Sequence, residues 1–367
     1  MNREESLKQF KENKAKNLVD ECKVKFEENF KENEENVENL IIDNMKSLIK
    51  RAKDFQQVIE DYKIAVFQFE LLRINILNES YKAFIHGYNS LWYLDKDSIY
   101  EEIDLKFLFE PFIDLKEKLI KEKKIYMGKV NNYDIQEIIF DLAVECYNNM
   151  SENARNWLWN LDEEEWMKES SIQDFYIIKW SEYQGESETI FTMDNKEKNI
   201  KELLELKKQS EEKLPFVYTV WKNSILENGD LTKQNMLFIN FKGSKLKKID
   251  FSESNIIRAQ FKDTEVKKCE FKKSILIGTS FENSKIEDCN FNNGDCRGGD
   301  FRKSELQYVD FGNTNLKNSN FTNASFTNVS FEGADVEEAI FSERDIPYIH
   351  LTPEQLQTIY IDGGKEV

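Results

Sequence analysis

The 367-residue sequence has few of the residues that punctuate or cross-link a chain. Four prolines and thirteen glycines exclude a collagen-like or low-complexity polymer. Five cysteines (22, 146, 269, 289 and 296) and two histidines (86 and 350) form no Cys-x-x-Cys or Cys/His cluster, so neither a zinc centre nor a disulfide framework is encoded. No apolar run reaches the roughly 18 residues a membrane-spanning helix needs. The opening MNREESLKQFKENK is charged and lacks the apolar stretch of a signal peptide, so the expected location is the cytoplasm. Acid and aromatic residues are plentiful. There are 69 Asp and Glu against 51 Lys and Arg, a net charge of −18, and 27 Phe, 14 Tyr and 6 Trp. That much apolar surface can fill more than one core and argues against wholesale disorder.

Residues 1–230 carry −15 of the charge and read as an all-α helical bundle. Ile41, Met45, Leu48, Ala52, Phe55, Ile59, Tyr62, Val66 and Phe69 recur at alternating steps of four and three, the stripe of a coiled-coil seam. The spacing predicts one long helix over 36–90, stopped near Gly87. It belongs to an intramolecular bundle or, as the sharper alternative, mediates self-association through the 41–69 stripe. Residues 1–35 read as a charged helical arm with few core positions, exposed or fraying. Residues 91–230 hold all six tryptophans and read as an aromatic-rich bundle. It contains a basic helix after Phe107, Phe109 and Phe112, an acidic helix and loop over 161–188, and a closing helix from Asn199 to Lys213 before Pro215. The segment FYIIKW at 175–180 fits either a strand or a buried helical turn.

Beyond 230 the period changes to five. Phenylalanine occupies 241, 251, 261, 271, 281, 291, 301, 311, 321, 331 and 341. Midway between lie Leu246, Ile256, Val266, Leu276, Ile286, Cys296, Leu306, Leu316, Phe326, Val336 and Ile346. Two residues before each centre the side chain is small, with Ile239, Ile249 and Arg344 as the clear departures; the residue just before the centre is mostly polar, as in Asp250, Asn255, Asp300, Asp310 and Asn320. Neither 3.6 nor 2.0 divides five, so no helix or straight strand keeps these centres on one face. A chain that turns a corner every five residues does.

Over residues 231–350 the sequence resembles the pentapeptide-repeat family. The resemblance implies a right-handed quadrilateral β-helix, four pentapeptides to a coil, with the centre and the small residue facing inward. The expected architecture is therefore a helical domain followed by this β-solenoid and a C-terminal cap or tail at 351–367. Twenty residues per coil place Phe241, Phe261, Phe281, Phe301, Phe321 and Phe341 on one wall. Phe251, Phe271, Phe291, Phe311 and Phe331 fall on the opposite wall, with Leu246, Ile256, Val266, Leu276, Ile286, Leu306 and Leu316 among the centres between. Cys269, Cys289 and Cys296 are then small buried residues of a reduced protein. Residues 351–364 read as a short amphipathic helix that closes the last coil or, less simply, mediates self-association.

No phosphate loop, nucleophile elbow or zinc-helix motif is present, and neither histidine has a recognisable partner. The sequence thus predicts no catalytic, cofactor or metal residues, and a protein that recognises protein partners through its helical domain and the outer walls of the solenoid. Lys242, Lys245, Lys247, Lys248, Lys267, Lys268, Lys272 and Lys273 form a basic patch that is a candidate interaction surface. A second reading, implied by the resemblance, is a DNA mimic that binds a type II topoisomerase. The charge weakens it: residues 241–280 sum to +5 and 281–346 to −7, whereas a mimic needs a continuous negative rod. The overall acidity disfavours direct nucleic-acid binding. A third reading places a small-molecule site in the helical domain among Trp157, Trp159, Trp166 and His86.

Overall fold

The computed structural model describes residues 2–183, 185–196, 198–208 and 215–362. It divides into two compact units, Met1–Met193 and Asp194–Val367. The boundary lies upstream of 230 because the first solenoid coil and its cap begin earlier than the five-residue beat is obvious.

The first unit opens with α1 (Arg3–Phe10) and α2 (Lys16–Glu32), joined without a break by a π-turn, and α3 (Glu34–Phe55). Phe10, Cys22 and Phe26 point from this segment into the core, so the expected exposed arm is packed. Its few apolar residues suffice because each lands on the same stripe. The expected 36–90 helix ends at Phe55. Asp61 takes a left-handed backbone, the Gln56 side chain donates to Tyr62 O at 2.7 Å, and the chain turns into β1 (Ile64–Leu71). Ile64, Val66, Phe67 and Phe69 are β-branched or aromatic and apolar on both parities, which suits a strand covered on both faces better than a helix.

Helix α4 (Arg73–Leu77) follows, then β2 (Lys82–Tyr88), β3 (Ile99–Asp104), α5 (Pro111–Glu122), α6 (Asn132–Trp157), β4 (Ile172–Glu182) and β5 (Glu188–Asp194). The strands form one sheet in the order β3-β2-β1-β4-β5, antiparallel across β3-β2-β1 and parallel between β1 and β4. The amino-terminal region is thus helical but not all-α. The segment 175–180 lies in β4, and where an acidic helix followed by a loop is expected over 161–188 the chain makes two short 3₁₀ turns and then that strand. Gly87 is not a helix stop but a strand residue. A Cβ there would sit 3.0 Å from Ile64 Cδ1 and 3.2 Å from Leu48 Cδ2, so a larger residue would have to push these side chains aside where α3 packs against the sheet.

Ile41, Met45, Leu48 and Ala52 are buried in the unit's own core, as are Tyr62, Val66 and Phe69. The 41–69 stripe is therefore spent on intramolecular packing and cannot seat a second copy. Among the described residues no helix is long and apolar enough to cross a membrane, and no group of three or more His, Cys, Asp or Glu could hold a metal ion.

The second unit begins with α7 (Ile200–Lys207), N-capped by the Asn199 side chain. The expected extension of this helix through Lys213 lies mostly outside the described residues. The solenoid then runs through about seven turns. Its continuous sheet is β6 (Ile225–Asp230), β7 (Lys245–Asp250), β8 (Glu265–Lys267), β9 (Lys285–Glu287), β10 (Glu305–Gln307) and β11 (Ser325–Thr327), all parallel and each offset by twenty residues. Phe216, Trp221, Leu226, Leu231 and Met236 are buried and keep the five-residue beat. Trp221 consequently belongs to the solenoid and not to the aromatic bundle of the first unit. Ile200, Leu203, Leu204 and Leu206 of α7 pack on this first coil and cover its open end.

At the other end β12 (Ile340–Ser342) pairs in parallel with β13 (Tyr360–Asp362), again offset by twenty. The tail therefore adds one more turn. The helix expected over 351–364 shrinks to α8 (Pro353–Leu356), with a capping box between Thr352 and Gln355. Leu351 and Ile359 pack on the core, whereas Leu356 and Tyr360 are exposed.

Candidate functional site

The interior of the solenoid is filled by its own side chains. All eleven phenylalanines of the ten-residue series are buried. Rings twenty apart stack: Phe261 on Phe281 at 4.7 Å and 15°, and Phe271 on Phe291 at 4.7 Å and 5°. Rings ten apart meet edge-to-face across the bore, as for Phe261 and Phe271 at 6.0 Å and 83°. Both are favoured quadrupole arrangements. Leu246, Ile256, Val266, Leu276, Ile286, Leu306 and Leu316 are buried on the two walls between. The small inward residues bury polar atoms at little cost because each finds a carbonyl: Ser254 Oγ donates to Leu231 O at 2.8 Å, and Thr279 Oγ1 to Ile256 O at 2.8 Å. Cys269 and Cys289 take the same role, their thiols pointing at Leu246 O and Val266 O. All five cysteines are buried and unbridged.

Each corner is made by two further residues. The polar side chain before the centre accepts the backbone N–H two residues on, as Asp250 does from Ser252 and Asn320 from Thr322, both at 2.9 Å. This is an Asx-turn. The second residue after the centre then adopts positive φ, from Tyr218 to Glu338 at every fifth position apart from a few interruptions. Asn293, Asn313, Asn318, Asn323 and Asn328 occupy this site in the later coils, where the backbone suits them; Lys248, Lys268 and Lys273 occupy it in the earlier ones. This left-handed column is the clearest structural feature the sequence reading missed, and the recurrence of Asn, Asp and Gly at that offset is its signal.

The basic patch lands on three walls. Lys242 is buried. Lys245 pairs with Glu265 at 2.7 Å, Lys267 with Glu287 at 2.5 Å, Lys247 with Glu227 at 3.4 Å and Lys272 with Glu270 at 3.0 Å. Lys285 and Glu305 continue the ladder at 3.4 Å. Apart from Lys272 and Glu270, which lie two residues apart, these pairs join successive coils, as the twenty-residue offset dictates. Lys248, Lys268 and Lys273 stand at exposed corners.

The first unit holds a different kind of site. The face of the sheet turned away from the main core carries Gln68 and Glu70 of β1, His86 and Tyr88 of β2, and Lys179 and Ser181 of β4. The loop 89–98 folds over it. Tyr93 Oη donates to Glu70 Oε1 at 3.0 Å, and His86 Nε2 lies 3.6 Å from Glu70 Oε2. Gln68 Nε2 donates to Ser181 Oγ at 3.0 Å, and Lys179 Nζ sits 5.0 Å from the Trp92 ring centre. Glu70 is fully buried, which pushes its carboxyl up to about 7; burial likewise lowers His86 to about 4 and lowers Lys179.

His86 is therefore a strand residue beside a carboxyl, not the partnerless helix-end histidine the sequence suggested. The expected grouping with the tryptophans does not form. Trp157 and Trp166 border the main core, on the other face of the sheet, where Trp157 packs on Phe30. Trp159 lies in the turn after α6 and His350 is exposed near the tail. Gln68 and Glu70 were missed because they interrupt an apolar run, IAVFQFEL, that read as a helix.

Two family models match the chain, pentapeptide repeats (8 copies) at residues 235–272 and the pentapeptide repeat region at 264–341. No curated protein matches it. Solved structures similar to it include a pentapeptide repeat protein from the Arabidopsis thaliana thylakoid lumen, at 28% identity over 29% of this chain and 67% of that one, with a TM-score of 0.20. Another is QnrB1, a plasmid-mediated fluoroquinolone resistance protein, at 15% identity over 39% and 84%, with a TM-score of 0.24. A third is HetL of Nostoc sp. strain PCC 7120, involved in heterocyst differentiation regulation, at 14% identity over 40% and 84%, with a TM-score of 0.18. Residues 235–341 are a pentapeptide-repeat region, carried behind an amino-terminal unit that is assigned to no family.

Proposed function

We propose that the chain is a non-enzymatic protein-interaction scaffold whose solenoid walls form a recognition surface. The observation behind this reading is that the inward positions of the coils are filled by stacked rings, aliphatic side chains and small residues, the polar ones among them bonded to carbonyls. The coils therefore have only their outer columns to offer a partner. Those columns are held rigidly at the spacing of parallel strands, which limits the conformational entropy lost on binding. Lys248 and Lys268 stand at the same corner of successive coils and Lys273 at the next corner; all three are exposed, form no ion pair among the described residues, and together suit an acidic segment of a protein partner. The buried, unbridged thiols suit a reducing compartment such as the cytoplasm.

The test is affinity capture with the full-length protein and with a Lys248→Glu/Lys268→Glu/Lys273→Glu variant. Partners retained by the wild type and lost by the variant, at unchanged thermal stability, support the reading. An identical capture profile removes these corners from it.

The charge pattern weighs against the DNA-mimic alternative. A duplex mimic needs uninterrupted negative columns, and the wall through Lys245, Glu265, Lys285 and Glu305 alternates in sign. The expected outcome of a gyrase supercoiling assay is neither inhibition nor protection.

A further inference from the structure

The sheet face beneath the 89–98 loop gathers more unanswered polar atoms than a packing role requires. Gln68 Oε1, Glu70 Oε2, His86 Nδ1 and Trp92 Nε1 are all buried and meet no hydrogen-bond partner among the described residues. Gln68 and Glu70 are completely buried and lie two apart on β1, so both acceptors project from the same face. Leaving a buried polar group unsatisfied is costly, and natural structures keep few of them. Four in one cluster mark a place built for something else to bind.

The surrounding walls say what kind of ligand fits. His86 stacks on Tyr88 at 5.4 Å, Tyr88 meets Tyr93 edge-on at 5.6 Å, and Tyr93 stacks on Trp92 at 4.8 Å. Two fixed acceptors, one of them a carboxyl, inside an aromatic enclosure match a cation that carries N–H donors. The covering loop is strained and partly exposed. Trp92 holds a left-handed backbone that a tryptophan rarely adopts, and Leu91, Tyr93 and Leu94 face solvent. Its anchor is Asp95, which accepts from Asn89 N at 2.8 Å and Asp97 N at 3.0 Å.

We propose that Gln68, Glu70 and the rings of Tyr88, Trp92 and Tyr93 form a binding site for a small primary ammonium ligand, closed by the 89–98 loop. The site is independent of the solenoid walls. Other titratable groups around Glu70 and the rings beside it are His86 and Tyr88 from β2, Lys179 from β4, Tyr183 just after β4, Tyr93 and Asp95 from the loop, and Tyr147 from α6. Lys179 is the only cation among them, and its Nζ is engaged by the Trp92 ring and by Thr189 Oγ1 at 3.3 Å. Binding a cation requires Glu70 ionised. Because its carboxyl titrates near 7, affinity rises with pH through neutrality.

The experiment is calorimetric titration of the full-length protein with n-butylammonium. Binding in the millimolar range suits so small a ligand, tightening about tenfold from pH 6 to pH 8. Glu70→Gln, which keeps the shape and removes the charge, weakens it at least tenfold, while Glu165→Gln at an exposed acid leaves it unchanged. Circular dichroism and a thermal melt of the Glu70→Gln protein show that it is folded. Tetramethylammonium, which has no N–H, and n-butanol, which has no charge, bind more weakly. The proposal is overturned by no heat at either pH, by equal binding to wild type and Glu70→Gln, or by equal binding of either control compound.

Discussion

The two units bury their phenylalanines by opposite strategies. In the solenoid, the Phe291 ring meets the rings of its equivalents, Phe271 and Phe311 above and below and Phe281 and Phe301 across the bore. In the first unit, Phe109 stacks on Tyr81 from the turn before β2 and packs on Phe26 from α2 and Phe112 from α5. The first arrangement repeats in sequence and is local in space. The second is unique and draws together residues far apart in the chain. A repeated core leaves no room for an irregular polar cluster, because any exception would break a column. A unique core can hold one, and Glu70 with its neighbours is the result.

The largest expected effect breaks the solenoid side of this contrast. Phe291→Asp places an unpaired carboxylate inside an aromatic column and should cost more than about 4 kcal/mol. Hydrogen exchange should show lost protection centred on the neighbouring coils, 271–311, since each coil leans only on those beside it. Protection lost evenly over the whole solenoid would show that its coils fold as a single cooperative block. Phe67→Ala in β1 should cost about 3–5 kcal/mol and lower the melting of the entire first unit at once.

Glu70→Gln should act in the other direction. A carboxyl whose folded pKa lies above its unfolded value is destabilising once pH exceeds that unfolded value, and the cost grows until pH passes the folded pKa. The substitution should therefore stabilise the first unit by on the order of 3 kcal/mol at pH 8 and by almost nothing near pH 4. A pH-independent difference in melting temperature would mean that Glu70 does not titrate as its burial implies.

Smaller effects test the left-handed corners. Lys268→Gly should stabilise the solenoid by up to about 1 kcal/mol, and Asn313→Ala should destabilise it by a similar amount, read from denaturant midpoints. The smallest change is expected for Lys245→Glu. It breaks one exposed rung of the ladder, and its slight loss of melting temperature should vanish in high salt.

The two units were also unequally legible. The five-residue metre exposed the solenoid core residue by residue, because a repeat forces each position to meet its own copy one coil away. Only upstream did it fade: Phe216, Trp221 and Leu226 keep the beat and Thr219 and Ser224 the small position, but Pro215, Val220 and Ile225 stand where the Asx residue would precede the centre. In the first unit the stripe from Ile41 to Ala52 was read correctly as a helix face, and its extension to Phe69 was not. Nothing in the residues 56–63 forbids a helix. The turn exists because β1 can pair with both β2 and β4, a gain invisible to local spacing.

The sequence by itself determined the corner at every fifth residue and the inward columns, since these follow from which residue type recurs at which offset; four corners to a coil were implied by the family resemblance and are shown by the twenty-residue offset of the strands. Tertiary structure alone decided where the coil begins and ends, that rungs of lysine and glutamate neutralise one another, and that a glutamate, a glutamine and a histidine share one covered face of a sheet. Those outcomes depend on pairings between distant strands and on burial, and neither is written in the order of neighbouring residues.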